Sequence, residues 1–470
     1  MRLSTWTTAI VFAVLLGNPF FATSASTEQP LLVGAATADI TPAPGLRMWG
    51  YSNRTDGATG KLDPLMAKAV VLKAGGTSVG IVTLDLGRVP EPHVLDRIRR
   101  QVREQCGLAN LFITASHTHS APSLEGGSDA LTQFSEAVGD AIIRIVVEAA
   151  GNVVPAKLGI GLGEADLAHN RRKFLPDGRV AMQWRNAERE KTEPVDSEFV
   201  VIRLDATEGS AAGKPLATLV HYACHPVVLG PDNLQYSADF VGAACERVRA
   251  ETGAPCLYLQ GACGNINPYV DKTPLADGGV REMQQMGRAL GDQVLSVSKT
   301  IETKPLEPAT IQFDAQVIPV RTRWDIDAPE VRAVLSKAYG PRFDNYLLAT
   351  FKDNVIPCTL TTLKVGDAFA LVGMPGEIFV QFQQELKQRS PVPNTLLVGY
   401  TEGYHAYFPT IRDAAAGGYG GKTATYVEVG AGERLTNAAL VELYRMTGKL
   451  HDQPREQDFK LLEYDDVRGK

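Results

Sequence analysis

Three times along this chain an apolar run ends in a turn, gives way to an amphipathic segment of helical period, and is answered by another apolar run. The first run, SVGIVTLDLG (78–87), is followed by 90–107, where Val94, Ile98 and Val102 share one face at i, i+4 spacing. LFITA (111–115) then closes the unit. Apolar runs without alternation read as strands buried on both faces, and strand–helix–strand at this spacing predicts a parallel βαβ unit. The pattern returns at 216–224, 237–253 and 255–261, with Ser237 placed to cap the helix. It returns again at 368–376, 377–390 and 394–400. By contrast, 159–163 and 311–320 alternate and predict antiparallel strands. The expected fold class is α/β: a mixed, largely parallel central sheet flanked by helices, in a single large domain over 26–470. The Pro- and charge-rich segment 302–308 is expected to join two halves of that domain.

The first 25 residues stand apart. Arg2 precedes AIVFAVLLG (9–17), and small residues come next in FATSAS (21–26). That order predicts a secretory signal peptide over 1–25 and an exported protein, periplasmic or extracellular, with no transmembrane span expected elsewhere. The net charge of −6, with no local basic run, excludes an electrostatic case for nucleic acid. Six cysteines without a CxxC pair exclude a cysteine-based zinc or redox centre.

Polar residues cluster at the end of each buried run. Asp85 ends one, and His117 and His119 end the next in SHTHSAPS. His225 stands in ACHP, Asn265 and Asn267 in GNINP, Glu377 in MPGE, and Tyr404, His405 and Tyr407 in YHAY. The carboxyl ends of parallel strands form one edge, where sites are built. Taken singly, each residue has a plainer reading. A strand-end His is readily a hydrogen-bonded core residue, Glu377 in a first helical turn a partner of the helix dipole, and Tyr404 and Tyr407 half-buried core. A strand-borne His-x-His puts both rings on one face, and the common position at strand ends points to a metal site.

The ordered set of motifs resembles the neutral/alkaline (non-lysosomal) ceramidases. VGAATADITP, MWGYSNR, SHTHSAPS, YACHPVVLG with YSADFVG, MPGEIF, and YHAYFPT with GGYGG carry the resemblance from about residue 32 to 426. It implies a catalytic domain of mixed α/β fold around one zinc ion per chain. His117, His225, Glu377 and Tyr407 would be ligands. His119 would stand beside the metal as proton carrier, Tyr419 would polarise the substrate carbonyl, and Arg171 would be the site arginine, with Arg172 its rival. The implied activity is hydrolysis of an N-acyl amide, ceramide or a ceramide-like lipid, by attack of zinc-bound water. Alternatives are a zinc-dependent esterase, lactonase or deacetylase on another substrate, or a non-catalytic binding protein on the same fold. The implied partner is a small-molecule or lipid amide, compatible with peripheral membrane contact.

Two departures accompany the resemblance. The family's Gly-Asp-x-Ser-Pro stretch reads GNINP here, with Asn265 and Asn267 in place of Asp and Ser, which removes a serine nucleophile. The family's C-terminal immunoglobulin-like module finds no counterpart, so the resemblance is to the catalytic domain. The segment 434–450 is expected to be a last helix.

Overall fold

The computed structural model describes residues 30–455, apart from 126–127, 341–342, 344–346 and 349–350. The expected signal peptide, the expected domain start at 26 and the tail beyond 455 lie outside them. Two sheets stack face to face, with helices on both outer sides. The first sheet holds β1 (Leu32–Asp39), β2 (Met66–Ala74), β3 (Thr77–Leu84), β4 (Asn110–Ala115), β5 (Val154–Glu164), β6 (Glu198–Ala206), β7 (Pro215–Tyr222) and β8 (Cys256–Gln260). Its order is β8-β7-β6-β5-β1-β2-β3-β4. Its outer face carries α1 (Pro92–Cys106), α2 (Asp129–Gly151), α3 (Asp239–Thr252) and α4 (Gly279–Thr300).

The mixed α/β expectation holds, but the sheet is less parallel than expected. Among its pairings only β3–β4 and β7–β8 are parallel, and these are two of the three predicted βαβ units, bridged by α1 and α3. The rest are antiparallel. One cause is legible in hindsight. Gly75 and Gly76 join β2 to β3 with φ of 58° and 81°, the left-handed pair that a two-residue hairpin turn requires, and a hairpin is antiparallel.

A second sheet replaces the single one expected. It contains β9 (Ile311–Arg321), β10 (Val355–Val365), β11 (Phe369–Gly373) and β12 (Thr395–Val398) in that order, parallel only between β11 and β12. The segment 302–308 leads from the first sheet into it. Helices α5 (Pro329–Tyr339), α6 (Val380–Arg389), α7 (Ile411–Ala416) and α8 (Ala431–Met446) complete the second half. Phe112, Leu204 and Leu259 of the first sheet pack against Leu363, Phe369 and Leu371 of the second. Phe382, Leu386, Leu435 and Leu443 cover the far side with α6 and α8. At about 1.5–3 kcal/mol for each large apolar side chain fully buried, these layers hold the sheets together.

The first sheet curls until its edge strands approach each other. The Gln260 side chain at the end of β8 donates to the Ser116 carbonyl just past β4, at 2.7 Å. Residues 399–402, arriving from β12, fill the seam. Gly399 N–H donates to the Gln260 carbonyl, and Glu402 N–H to that of Ile113 (2.9 and 3.0 Å). The Glu402 carboxylate accepts from Ile113 N–H at 2.9 Å. Edge-strand groups that would otherwise be buried without partners are thereby satisfied.

Asp85, one of the strand-end candidates, belongs to this framework. It is 2% exposed, pairs with the buried Lys68 ammonium at 3.1 Å and accepts from Met66 N–H at 3.1 Å. Asp85→Ala would strand the ammonium in the core. The expected loss is about 3–5 kcal/mol in urea unfolding, most of it recovered when Lys68→Met and Asp85→Leu are combined.

Candidate metal centre

β4 ends at Ala115, and His117 lies two residues on with φ of 68°, so the chain turns before the two histidines. Their convergence comes from this turn, not from the strand pleat that the sequence suggested. The rings stand 4.9 Å apart at 84°, with the two Nε2 atoms 3.3 Å from each other. His117 is 1% exposed and lies flat against Tyr400, centroids 4.1 Å apart. Its Nδ1–H donates to the Gly87 carbonyl at 2.6 Å, which leaves the Nε2 lone pair for a ligand. His225, just past β7, is built alike: Nδ1–H donates to the Cys263 carbonyl at 2.5 Å and Nε2 faces inward.

Glu377 precedes α6 instead of opening it as expected. Residues Glu377–Ile378 pair in parallel with Tyr407–Phe408, which sets Glu377 directly opposite Tyr407. Glu377 Oε2 lies 3.0 Å from His225 Nε2 and 3.6 Å from His117 Nε2, and Oε1 accepts from the Tyr404 hydroxyl at 2.6 Å. Burial alone would raise the Glu377 pKa, but the charge and hydrogen bonding of His117 and His225 outweigh it and hold the carboxyl well below its usual range. Burial pushes the His225 pKa down to about 4.

This donor set fits a small divalent cation. His117, His119 and His225 present ring nitrogens within 4.8 Å of one another. Zinc–nitrogen bonds of about 2.0–2.1 Å in tetrahedral array put neighbouring donors about 3.3 Å apart, close to the 3.0 and 3.6 Å that separate Glu377 Oε2 from the Nε2 atoms of His225 and His117. Imidazole nitrogens converging on a buried carboxylate need a proton or a cation between them. The backbone carbonyls behind His117 and His225 fix the tautomer that suits a cation.

His119 differs from its neighbours. Its Nδ1 has no hydrogen-bond partner among the described residues, and the ring is partly open to the cleft. Tyr51 meets it edge-on at 4.9 Å. Burial, with His117 and His225 close by, drives its pKa well down. Gly50, at φ 99°, comes so close that a Cβ there would lie 2.4 Å from the His119 ring.

A second wall faces the donors. Tyr407 accepts from Arg171 Nη2 at 3.0 Å, while Arg171 also donates to the Gly264 carbonyl (2.6 Å) and to Asn267 Oδ1 (3.0 Å). The Arg171 guanidinium packs 5.5 Å from both the Tyr407 and Tyr419 ring centroids and 5.0 Å from that of Trp184. Tyr419 is 39% exposed and meets Tyr407 edge-on at 5.3 Å. Arg172 turns the other way. It pairs with Asp413 (2.9 Å) and donates to the carbonyls of Gly417 and Tyr419 (2.7 and 2.8 Å), holding the loop that carries Tyr419. The fold therefore brings Arg171 to the donors and uses Arg172 as a buttress. Asn265 receives Val380 N–H at 2.9 Å at the start of α6. His405 points to the Pro357 carbonyl (3.2 Å), away from the cluster. The resemblance named Arg171, Tyr407 and Tyr419 of this wall but gave no site role to Gly50, Trp184 or Tyr400.

Comparison with known proteins bears out the resemblance read from the motifs. The family model for "Neutral/alkaline non-lysosomal ceramidase, N-terminal" matches residues 31–252. The neutral ceramidase of Pseudomonas aeruginosa is 25% identical over 297 residues, 58% of this chain and 42% of that protein. Neutral ceramidase 3 of Arabidopsis thaliana is 27% identical over 150 residues, 29% of this chain and 20% of its own length. The chain thus spans less than half the length of these curated relatives. The crystal structure of the P. aeruginosa neutral ceramidase has the same fold, with a TM-score of 0.69 at 16% identity, covering 90% of this chain and 75% of that one.

The contact between Gly50 and His119 generates a test. Gly50→Ala must move the ring or the backbone, and where His119 carries a proton, as the resemblance implies, a displacement near 1 Å costs about 100-fold in rate. The expected result is a loss of turnover of that order with the metal retained, measured by steady-state kinetics beside metal analysis.

Proposed function

We propose that this protein is an exported zinc-dependent hydrolase that cleaves the N-acyl amide bond of ceramide or a ceramide-like lipid. The observation that carries the reading is the convergence of His117, His225 and Glu377, with Tyr407 opposite, where His117, Glu377 and Tyr407 line one cleft and His225 lies buried behind them. The cleft has a volume of about 720 Å³ and walls that include Met48, Trp49, Tyr51, Leu124, Leu131 and Tyr426. The apolar and aromatic part of this wall, which stands beside the polar Arg47, Glu91, His93 and Glu125, suits a substrate with a hydrocarbon part and one amide. The names of the relatives support the substrate class. Among the described residues no helix is long and apolar enough to cross a membrane, so contact with a lipid surface would be peripheral.

Zinc, when bound, supplies Lewis acidity that polarises an acyl carbonyl and acidifies water. The chain's own residues divide the remaining work. His117 and His225 offer Nε2 because their Nδ1–H groups are committed to backbone carbonyls, and Glu377 offers one carboxylate oxygen. The Tyr419 hydroxyl, on the exposed rim, donates to the carbonyl oxygen as negative charge builds there, with the Arg171 guanidinium behind it adding positive potential. His119 receives the proton of the attacking water and passes it to the amide nitrogen, so that the C–N bond breaks to a free amine and a carboxylate. His119 suits this because its ring lines the cleft with Nε2 3.3 Å from His117 Nε2, beside the donors.

Purified protein is expected to hold about one zinc per chain, which a metal-free folded protein would refute. His225→Ala should lose both zinc and activity. His119→Ala should keep the zinc and lose about 100- to 10,000-fold in rate. Turnover of fluorogenic N-acyl-sphingosine, compared with short N-acyl amines and esters with and without chelator, separates the lipid amidase from an esterase or deacetylase.

A further inference from the structure

We propose that Tyr404 is a positioning residue that makes Glu377 a one-oxygen ligand. The inference rests on the metal-centre reading above and assigns a role to a residue that the reading leaves idle. The Tyr404 hydroxyl donates to Glu377 Oε1 at 2.6 Å, so that oxygen is engaged by a group other than the histidines. Only Oε2 faces them, at 3.0 Å from His225 Nε2 and 3.6 Å from His117 Nε2. A carboxylate free to rotate could place both oxygens on the same cation and fill the position that water and substrate need. A short charge-assisted hydrogen bond to Oε1 biases the carboxylate toward the orientation that keeps Oε2 on the histidine side.

The Tyr404 ring is itself fixed on three sides. Trp49 meets it edge-on at 5.2 Å and 84°. The His117 ring lies nearly parallel to it at 6.0 Å, and the Arg88 guanidinium packs against it 5.5 Å from the centroid. Arg88, 3% exposed, is held by Glu91 at 3.1 Å and Glu125 at 3.4 Å. Glu377 is thus oriented through a ring that the cleft wall clamps, and a hydroxyl merely satisfying a buried oxygen would not need such clamping.

The test compares the wild-type chain, Tyr404→Phe and Arg88→Met. Zinc affinity is measured by competition with a chromogenic chelator, coordination by the visible absorption of the cobalt(II)-substituted protein, and kcat and KM separately. Phenylalanine keeps the ring and removes only the hydroxyl. We expect Tyr404→Phe to bind zinc about 10- to 100-fold more weakly. Its cobalt bands should weaken toward those of a higher coordination number, and kcat should fall more than KM rises. Arg88→Met, which keeps the hydroxyl but loosens the ring, should shift the same readouts less. Wild-type zinc affinity with an unchanged cobalt spectrum in Tyr404→Phe would overturn the role of Tyr404 and leave the metal centre standing. A wild-type chain that binds neither metal would overturn both.

Discussion

The seam between β4 and β8 is the constraint on which the site depends. A sheet in this strand order, laid flat, would hold its two βαβ units at opposite edges, and His117 and His225 could never meet. Curling brings the edges together, and the backbone of residues 399–402 closes the gap by bonding to Gln260 on one side and Ile113 on the other. The same segment then delivers Tyr404 and Tyr407, so the element that seals the first sheet also supplies the wall facing the metal donors. The donors come from both stacked sheets, which explains why they are spread over some 300 residues of chain (117 to 407) without any being distant in space.

The backbone around the donors is strained in a consistent way. His117, Tyr400, Glu402 and Ala406 all have positive φ, between 54° and 68°, although none is glycine. Such conformations cost of order 1–3 kcal/mol each and persist only where the surroundings enforce them. Here the enforcing contacts are visible: the Gly87 carbonyl behind His117, the Ile113 pair on Glu402, and the pairing of 377–378 with 407–408. Stability of the layered cores offsets a fixed geometry at the site.

Much of this was legible in the sequence because periodicity and strand-end position are local signals. The two βαβ units of the first sheet and the helix ended by Gly107 follow from them. The set His117, His225, Glu377 and Tyr407 came instead from the family resemblance, and the helix expected to be capped by Ser237 has Ala238 at its N-cap. The illegible part depends on how strands pair and how sheets close. Alternation cannot reveal that apolar runs such as β1 to β3 pair antiparallel; the Gly75-Gly76 hairpin could have done so. Asp85 and His405 occupy the same kind of position as the donors, yet Asp85 is needed by Lys68 and His405 by the Pro357 carbonyl. The choice between Arg171 and Arg172 turns on the direction of one side chain, which a doublet in sequence cannot disclose.

The placement of Arg171 bears on the charge that the site can carry. Burial keeps the Tyr407 hydroxyl well above its ordinary pKa, and Glu377 across the strand pair raises it further, while Arg171 acts against both. On the proposed reading Tyr407 joins two imidazoles and one carboxylate around a doubly charged cation. A phenolate there would cancel the remaining positive charge and weaken the polarisation of the substrate carbonyl. A neutral phenol would preserve that charge but bind weakly. On the same reading Arg171 would relieve the conflict, because its cation bonds to Tyr407 and packs against Tyr419, the proposed donor to the carbonyl oxygen. One buried guanidinium, held by Gly264 and Asn267, can therefore serve both the ligand and the reacting group. That is a physical reason for the GNINP stretch to lie at this edge although it offers no nucleophile.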